Sequence, residues 1–426
     1  MSLGKTGFFY GWVVVATGFL VTFVLGGAVY YPFGIFLKPM IADLGCSRGE
    51  AAIALSALMV VAGLLAPAVA AVMRKVSIRV LMGAGMTVVA VGLALLSTIT
   101  QVWQLWVLLG GVVAAGIAFG TVVPATTMVN FWFVRRKSLA IGIVMAGVGV
   151  GTLVLAPVVA RLIESLGWRD AWLVLAGLTF FLGAVPSLVF ARSRPEDLGQ
   201  LPDGCSGGAP AQEEPGRAGV ERREPTGWGV RAALRTPALW LIAVFSAANL
   251  FAINMLTAHQ VAHITDIGIS PVAAAGALGL LVGVSTVGRL LGGVLGDRMK
   301  PSYLVAAACL MELLGLLLLM NSRGMGLVYG YVVLFGLSYG MILVLSPVMI
   351  AQYYGAKAYA SLFATVNVGA TLVAAVSPIM GGFVYDAVHS YAVPFAVCAG
   401  FSGVAAVCAL LARPPGNAPL LGPNRG

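Results

Sequence analysis

A chain of 426 residues in which 60% of positions are hydrophobic and only 9% are charged falls outside the soluble classes, since a soluble domain averages about 25% charged residues. The net charge of +10 does not point to nucleic acid, because the basic residues fall mainly in turns between apolar runs, where they set membrane topology. The composition describes a polytopic membrane protein whose surroundings are a lipid bilayer.

Twelve apolar runs follow one another, at 9–37, 48–73, 78–99, 103–130, 137–162, 170–190, 237–264, 271–296, 302–320, 326–349, 358–384 and 391–412, each long enough to cross a bilayer. The first is too long for a signal-peptide core and shows no small-residue cleavage site, so it reads as an uncleaved span. The 55 glycines of the chain suit helices that approach closely and slide. The five cysteines are scattered, without metal spacing or a disulfide framework, and no cofactor is implied.

An even number of spans places both termini on one side. The turns on that side carry nine basic residues (Arg74, Lys75, Arg79, Arg135, Arg136, Lys137, Arg298, Lys300, Lys357), and the opposite turns carry five (Lys38, Arg48, Arg161, Arg169, Arg323). The basic-rich side is therefore expected to be cytoplasmic, with the protein in the cell membrane and both termini inside. The stretch Arg192–Arg235, rich in Pro, Gly, Glu and Arg, reads as a flexible cytoplasmic linker. The expected organisation is a six-helix bundle over 1–190, a linker over 191–236, a second bundle over 237–412 and a tail over 413–426, with the chain acting as a monomer. Shifting the sequence by 221 residues aligns Phe133 with Tyr354, Arg136 with Lys357 and Ala156-Pro157 with Ser377-Pro378. Weak internal repeats of this kind build many transporters, with the substrate bound between the halves. The fold class is thus all-α integral membrane, with twelve transmembrane helices in two pseudo-symmetric six-helix bundles.

The eighth run, ending GRLLGGVLGDRMK, holds one arginine inside its apolar part. Arg289 precedes Asp297 by eight residues, which places it roughly 12 Å inside the helix end and near mid-bilayer. A permanent cation at that depth marks a substrate or ion pathway; the alternatives are snorkelling to the interface or pairing with a buried acid. Neutral donors that would help hold a small solute are Thr121, Thr126 and Thr127 on the fourth span, Tyr30 and Tyr31 on the first, Asn254 on the seventh, Tyr339 on the tenth and Asn367 on the eleventh. Each also suits plain helix packing. His259 and His263 share a face of the seventh span. His259, the deeper, is a candidate for substrate contact or proton coupling because imidazole titrates near neutrality. Glu312, well inside the ninth span, is a second proton-coupling candidate, or a group that pairs or is protonated in place. Three dispersed histidines and no clustered nucleophiles or paired acids argue against an enzyme.

Gly293-Val294-Leu295-Gly296-Asp297-Arg298 resembles the G-x-L-x-D-R loop motif of the major facilitator superfamily. The resemblance implies the facilitator fold, and an Asp297/Arg298 latch that breaks as the halves rock. The first-half copy, Ala70–Lys75, lacks the aspartate. GFFYGW at Gly7–Trp12 and PATTMVNFWFVRRKSLAIGIVMAG at Pro124–Gly147 look like the first-helix entrance and the helix 4–5 signature of the monocarboxylate transporter family. FGLSYG at Phe335–Gly340 and SPIMGGFVYD at Ser377–Asp386 extend the likeness, and the related oxalate–formate antiporter branch shares much of it. The resemblance implies carriage of a small monocarboxylate such as lactate or pyruvate, coupled to a proton and clamped by the helix 8 arginine, here Arg289. The alternatives are an oxalate–formate type exchanger or an exporter of a larger organic anion. Two groups tied to proton coupling in the animal members are replaced here, by Ser285 one turn before Arg289 and by Phe33 after Pro32.

Overall fold

The computed structural model describes residues 9–204 and 228–415, apart from Asp297. Every regular element among these residues is helical. Eleven helices are long and apolar enough to span, or twelve if one bent pair counts as a single span. In chain order these are α1 (Gly11–Leu44), α2 (Arg48–Leu64 continued by Ala66–Val72), α3 (Ile78–Leu96), α4 (Val102–Trp132), α5 (Lys137–Leu166), α6 (Trp168–Phe190), α7 (Pro237–Asp266), α8 (Pro271–Gly296), α9 (Pro301–Met320), α10 (Met325–Gly355), α11 (Ser361–Val388) and α12 (Ala392–Leu411).

Local chemistry sets the boundaries. Helices α7, α8 and α9 each begin on a proline, whose fixed φ and missing N–H suit a first helical position. Gly167 (φ 84°) separates α5 from α6 and Gly355 (φ 75°) ends α10; both are left-handed positions that favour glycine. Helix α2 bends by 44° at Leu65, where Pro67 cannot donate to the preceding turn.

Two details depart from the sequence expectation. The spans are longer than the apolar runs, so Lys38 lies within α1 and Arg161 within α5, not in turns. The described ends of the linker are also tied down. Gln200 accepts from the Tyr10 amide at 3.1 Å, Asp203 accepts from the amides of Val134 and Arg135 at 3.1 and 2.7 Å, and Trp228 donates its amide to the Tyr354 carbonyl at 3.3 Å. Residues 205–227, with Cys205, lie outside the described part.

The chain divides into two compact units, residues 1–46 with 53–221, and residues 47–52 with 222–426. In the first, Phe36 of α1 stacks on Trp172 of α6 at 3.8 Å, and Gly27 of α1 lets the backbone of α5 approach at Gly151. In the second, α10 packs on α8 and α9, where Gly288 faces the Leu337 carbonyl and Gly315 faces Phe335. The units repeat one clasp: Phe9, ahead of α1, meets Phe133 at 5.3 Å and 80°, and Trp228, ahead of α7, meets Tyr354 at 5.8 Å and 78°. The Phe133–Tyr354 alignment thus pairs two buried aromatics doing the same packing task.

The α8–α10 contact is the tightest constraint on the second unit. A Cβ on Gly340 would collide with the Ser285 carbonyl and lie 2.8 Å from the Arg289 nitrogen. Gly340→Ala is expected to cost about 1–3 kcal/mol through forced separation of the helices. Gly293→Ala, which meets nothing within 4 Å, is expected to be neutral. Thermal unfolding of the two variants in detergent checks this.

Candidate functional site

Arg289 sits seven residues before the end of α8 at Gly296, roughly 10 Å along the axis. Its backbone is held by α10, because Gly288 and Gly340 remove the side chains that would keep the helices apart. The Nε–H is buried and has no acceptor, and the guanidinium has no ion-pair partner among the described residues. A buried donor without an acceptor costs about 1–3 kcal/mol, and an arginine fork matches a carboxylate through two parallel hydrogen bonds. The site therefore holds a fixed positive charge with an unmatched donor.

A separate cleft opens within the second unit, lined by Ser246, Asn249, Ser346, Pro347, Phe363 and Asn367, among others. Pro347 has no N–H for the carbonyl of Leu343, four residues earlier in α10, and Leu343 also lines the cleft. Ser246 and Ser346 share a hydrogen bond at 2.7 Å. Asn367 is thus where a small polar solute could be met, whereas Arg289 is not part of this wall.

Asn249 connects the cleft to Glu312. The carboxyl of Glu312, on α9, is fully buried; its Oε2 accepts from Asn249 Nδ2 at 3.1 Å and its Oε1 lies 3.2 Å from Ser402 Oγ on α12. No cation pairs with it among the described residues. Ser402 Oγ also reaches the carbonyl of Cys398, 3.1 Å away on its own helix, but a hydroxyl has only one hydrogen. When Ser402 donates to Cys398, its lone pairs are free to accept from a protonated Glu312 Oε1. The geometry accommodates both protonation states.

His259 lies in a closed chain of hydrogen bonds. Its Nε2 is 2.8 Å from the Pro378 carbonyl, so this nitrogen bears the hydrogen and donates. Nδ1 is then a bare acceptor, 3.3 Å from the Tyr391 hydroxyl, which donates to it. Tyr391 accepts in turn from Arg48 Nη1 at 2.6 Å. Arg48 pairs with Asp266 at 3.0 Å and rests on the Tyr385 ring at 3.6 Å. Asp386 accepts from the amides of Arg48 and Gly49 at 3.1 and 2.9 Å. Burial pushes the Tyr391 phenol above its ordinary range, so it stays a donor.

The other candidates are dispersed. Thr121, Thr126 and Thr127 donate to carbonyls of their own helix, which leaves only their lone pairs for a solute. Tyr31, Asn254 and Tyr339 are buried. Tyr30 packs edge-on against Tyr31. Arg298 is exposed, and Asp297, the other half of the expected latch, lies outside the described residues. Asn249, Arg48, Asp266, Asp386 and Tyr391 were missed by sequence reasoning. One signal was available: Ser47-x-x-Glu50 is a reciprocal cap, with Ser47 N donating to Glu50 at 2.8 Å and Glu50 N to Ser47 Oγ at 3.1 Å, and it marks an anchored helix start.

The family model of the Major Facilitator Superfamily matches residues 18–345 and 304–426. The chain belongs to this superfamily. Among similar proteins, this facilitator is 29% identical over 415 residues to monocarboxylate transporter 12 of Rattus norvegicus, covering 92% of this chain and 83% of the relative. It is 25% identical over 388 residues to the uncharacterized MFS-type transporter YcxA of Bacillus subtilis (strain 168), covering 89% and 90%. The fold matches the crystal structure of a bacterial homolog of the human lysosomal transporter Spinster, in an inward-facing and occupied conformation, with a TM-score of 0.74 at 14% identity and coverage of 96% and 97%. The protein is therefore a multi-pass membrane transporter of facilitator fold.

In this facilitator, Glu312→Ala would strand the Asn249 donor in the bundle interior, at an expected cost of about 1–3 kcal/mol. Glu312→Gln keeps the shape and an acceptor for Asn249, and is expected to restore most of the stability. Thermal unfolding in detergent distinguishes the two.

Proposed function

We propose that this transporter is a secondary active carrier of a small monocarboxylate of the lactate or pyruvate kind, moved together with a proton by alternating access. The observation that carries the reading is Arg289, a permanent cation inside α8 whose buried Nε–H has no acceptor among the described residues. A carboxylate shed of its water needs such a partner, and the guanidinium stays charged at every working pH. The monocarboxylate transporters among the relatives support the substrate class.

A monocarboxylate drawn to Arg289 alone carries net charge across the membrane, and a proton taken up with it makes the cycle electroneutral. With Ser285 in place of an acid beside Arg289, the proton needs another seat. Glu312 suits this role, because it accommodates both protonation states and is reached from the cleft through Asn249. His259 is the other titratable group at depth. The absence of an acid at Ser285 also favours a second reading, exchange of one organic anion for another, in which uptake depends on internal counter-substrate.

Arg289→Lys and Arg289→Gln are each expected to reduce uptake of a labelled short carboxylate into proteoliposomes by tenfold or more, with membrane abundance retained. Lysine keeps the charge and loses the planar fork. Near-normal uptake by the glutamine variant removes Arg289 from the site. Wild-type uptake is expected to rise with an inward pH gradient, and Glu312→Gln to lose most of that response; indifference of the wild type to the gradient replaces coupling with exchange or uniport.

The proposed location is the cell membrane, with both termini and the linker cytoplasmic, from the nine-to-five distribution of basic residues. An impermeant thiol reagent is expected to label Cys205 only after the cells are opened; labelling in intact cells reverses the orientation.

A further inference from the structure

We propose that His259 is a proton-operated lock on the start of α2, holding residues 47–52 in the second unit while it is neutral and freeing them when it gains a proton. The inference follows from the direction of each hydrogen bond around it. Pro378 offers only a carbonyl, so His259 Nε2 must donate. Nδ1 is then the sole site for a further proton, and it is the acceptor that fixes the Tyr391 hydroxyl. With that hydrogen aimed at His259, the lone pairs of Tyr391 face Arg48 Nη1. Arg48 in turn spans Tyr391 and Asp266, and its amide and that of Gly49 are held by Asp386. The relay is therefore ordered from the Pro378 carbonyl to the first turn of α2.

A proton on Nδ1 breaks this order. The nitrogen becomes a donor, and the Tyr391 oxygen is left between two cationic donors with its own hydrogen displaced. His259 is fully buried, and an imidazolium without water or a dedicated acceptor is costly. The charged form is stabilised where the chain opens and water enters. The groups facing this site are Arg48 and Glu50 from α2, His263 and Asp266 from α7, Tyr385, Asp386 and His389 from α11, and Tyr391 ahead of α12. Asp386 attracts the imidazolium in part, but both its oxygens are committed to backbone amides. Asp266 is committed to Arg48. Linkage then sets the size of the effect: below the ordinary histidine value of about 6.5, each unit of pH favours release by up to about tenfold.

Close packing makes the held state specific. A Cβ on Gly49 would run into the Phe383 ring, and one on Gly382 would sit 2.5 Å from the Gly49 Cα. The start of α2 therefore either seats fully on α11 or leaves it. The inference stands whichever solute is carried, and its failure leaves the Arg289 reading untouched.

The test is hydrogen–deuterium exchange on the full-length protein in nanodiscs, following the peptide that covers residues 47–52, with rates corrected for intrinsic pH dependence. In the wild type, exchange at pH 5.5 is expected to be about tenfold faster than at pH 7.5. His259→Gln, whose amide still donates to Pro378, is expected to be flat between the two. Tyr391→Phe, which cuts the relay but keeps the histidine, is also expected to be flat. His263→Gln and Asp266→Asn are expected to retain the step. An unchanged wild type, a full step in His259→Gln or Tyr391→Phe, or loss of the step in His263→Gln or Asp266→Asn overturns the proposal.

Discussion

The cost of an unmatched polar group where no water reaches governs this protein. Backbone groups meet that cost by forming helices throughout the spans. The side chains meet it in three different ways. Glu312 is matched by two neutral donors, from α7 and α12. His259 is matched by a carbonyl and a phenol. Arg289 is left with one buried N–H unmatched among the described residues. These degrees of satisfaction separate the roles proposed for them more clearly than their depth does. A satisfied acid can hold or lose a proton, a satisfied imidazole can order its neighbours, and an unsatisfied cation is what a carboxylate requires.

Glycine allows this arrangement in a membrane. Helices in lipid gain no hydrophobic energy from associating, so they rely on close packing. In the second unit Gly288 and Gly340 bring α8 and α10 into backbone contact around Arg289, and Gly382 brings α11 against Gly49. The same residues that fix the position of the charge also make the contacts discrete. A glycine-lined contact has little room between seated and apart, which suits a carrier that alternates between two states.

The chain also uses one kind of anchor twice. An aromatic residue ahead of α1 clasps the end of α4, and one ahead of α7 clasps the end of α10. Both clasps stand where the linker meets its bundle. The described ends of that linker are tied down despite a composition that reads as flexible: Gln200 and Asp203 accept from backbone amides, and Trp228 donates to a carbonyl, of segments distant in sequence.

The fold was legible in the sequence because apolar length and basic turns are local properties. A run of about twenty apolar residues has one stable outcome in a bilayer, and the glycine-rich signatures at Pro124–Gly147 and Gly293–Arg298 carried the family with them. The depth of Arg289 followed from counting residues along one helix. What each buried group touches could not be counted in this way. That Asn249 serves Glu312, and that Arg48 is the far end of a chain beginning at His259, depend on contacts 63 to 343 residues apart. The sequence determined which side chains would be expensive to bury; only the tertiary structure decided which of them found partners, because a hydrogen bond depends on direction and distance between helices, and neither is encoded in any one of them.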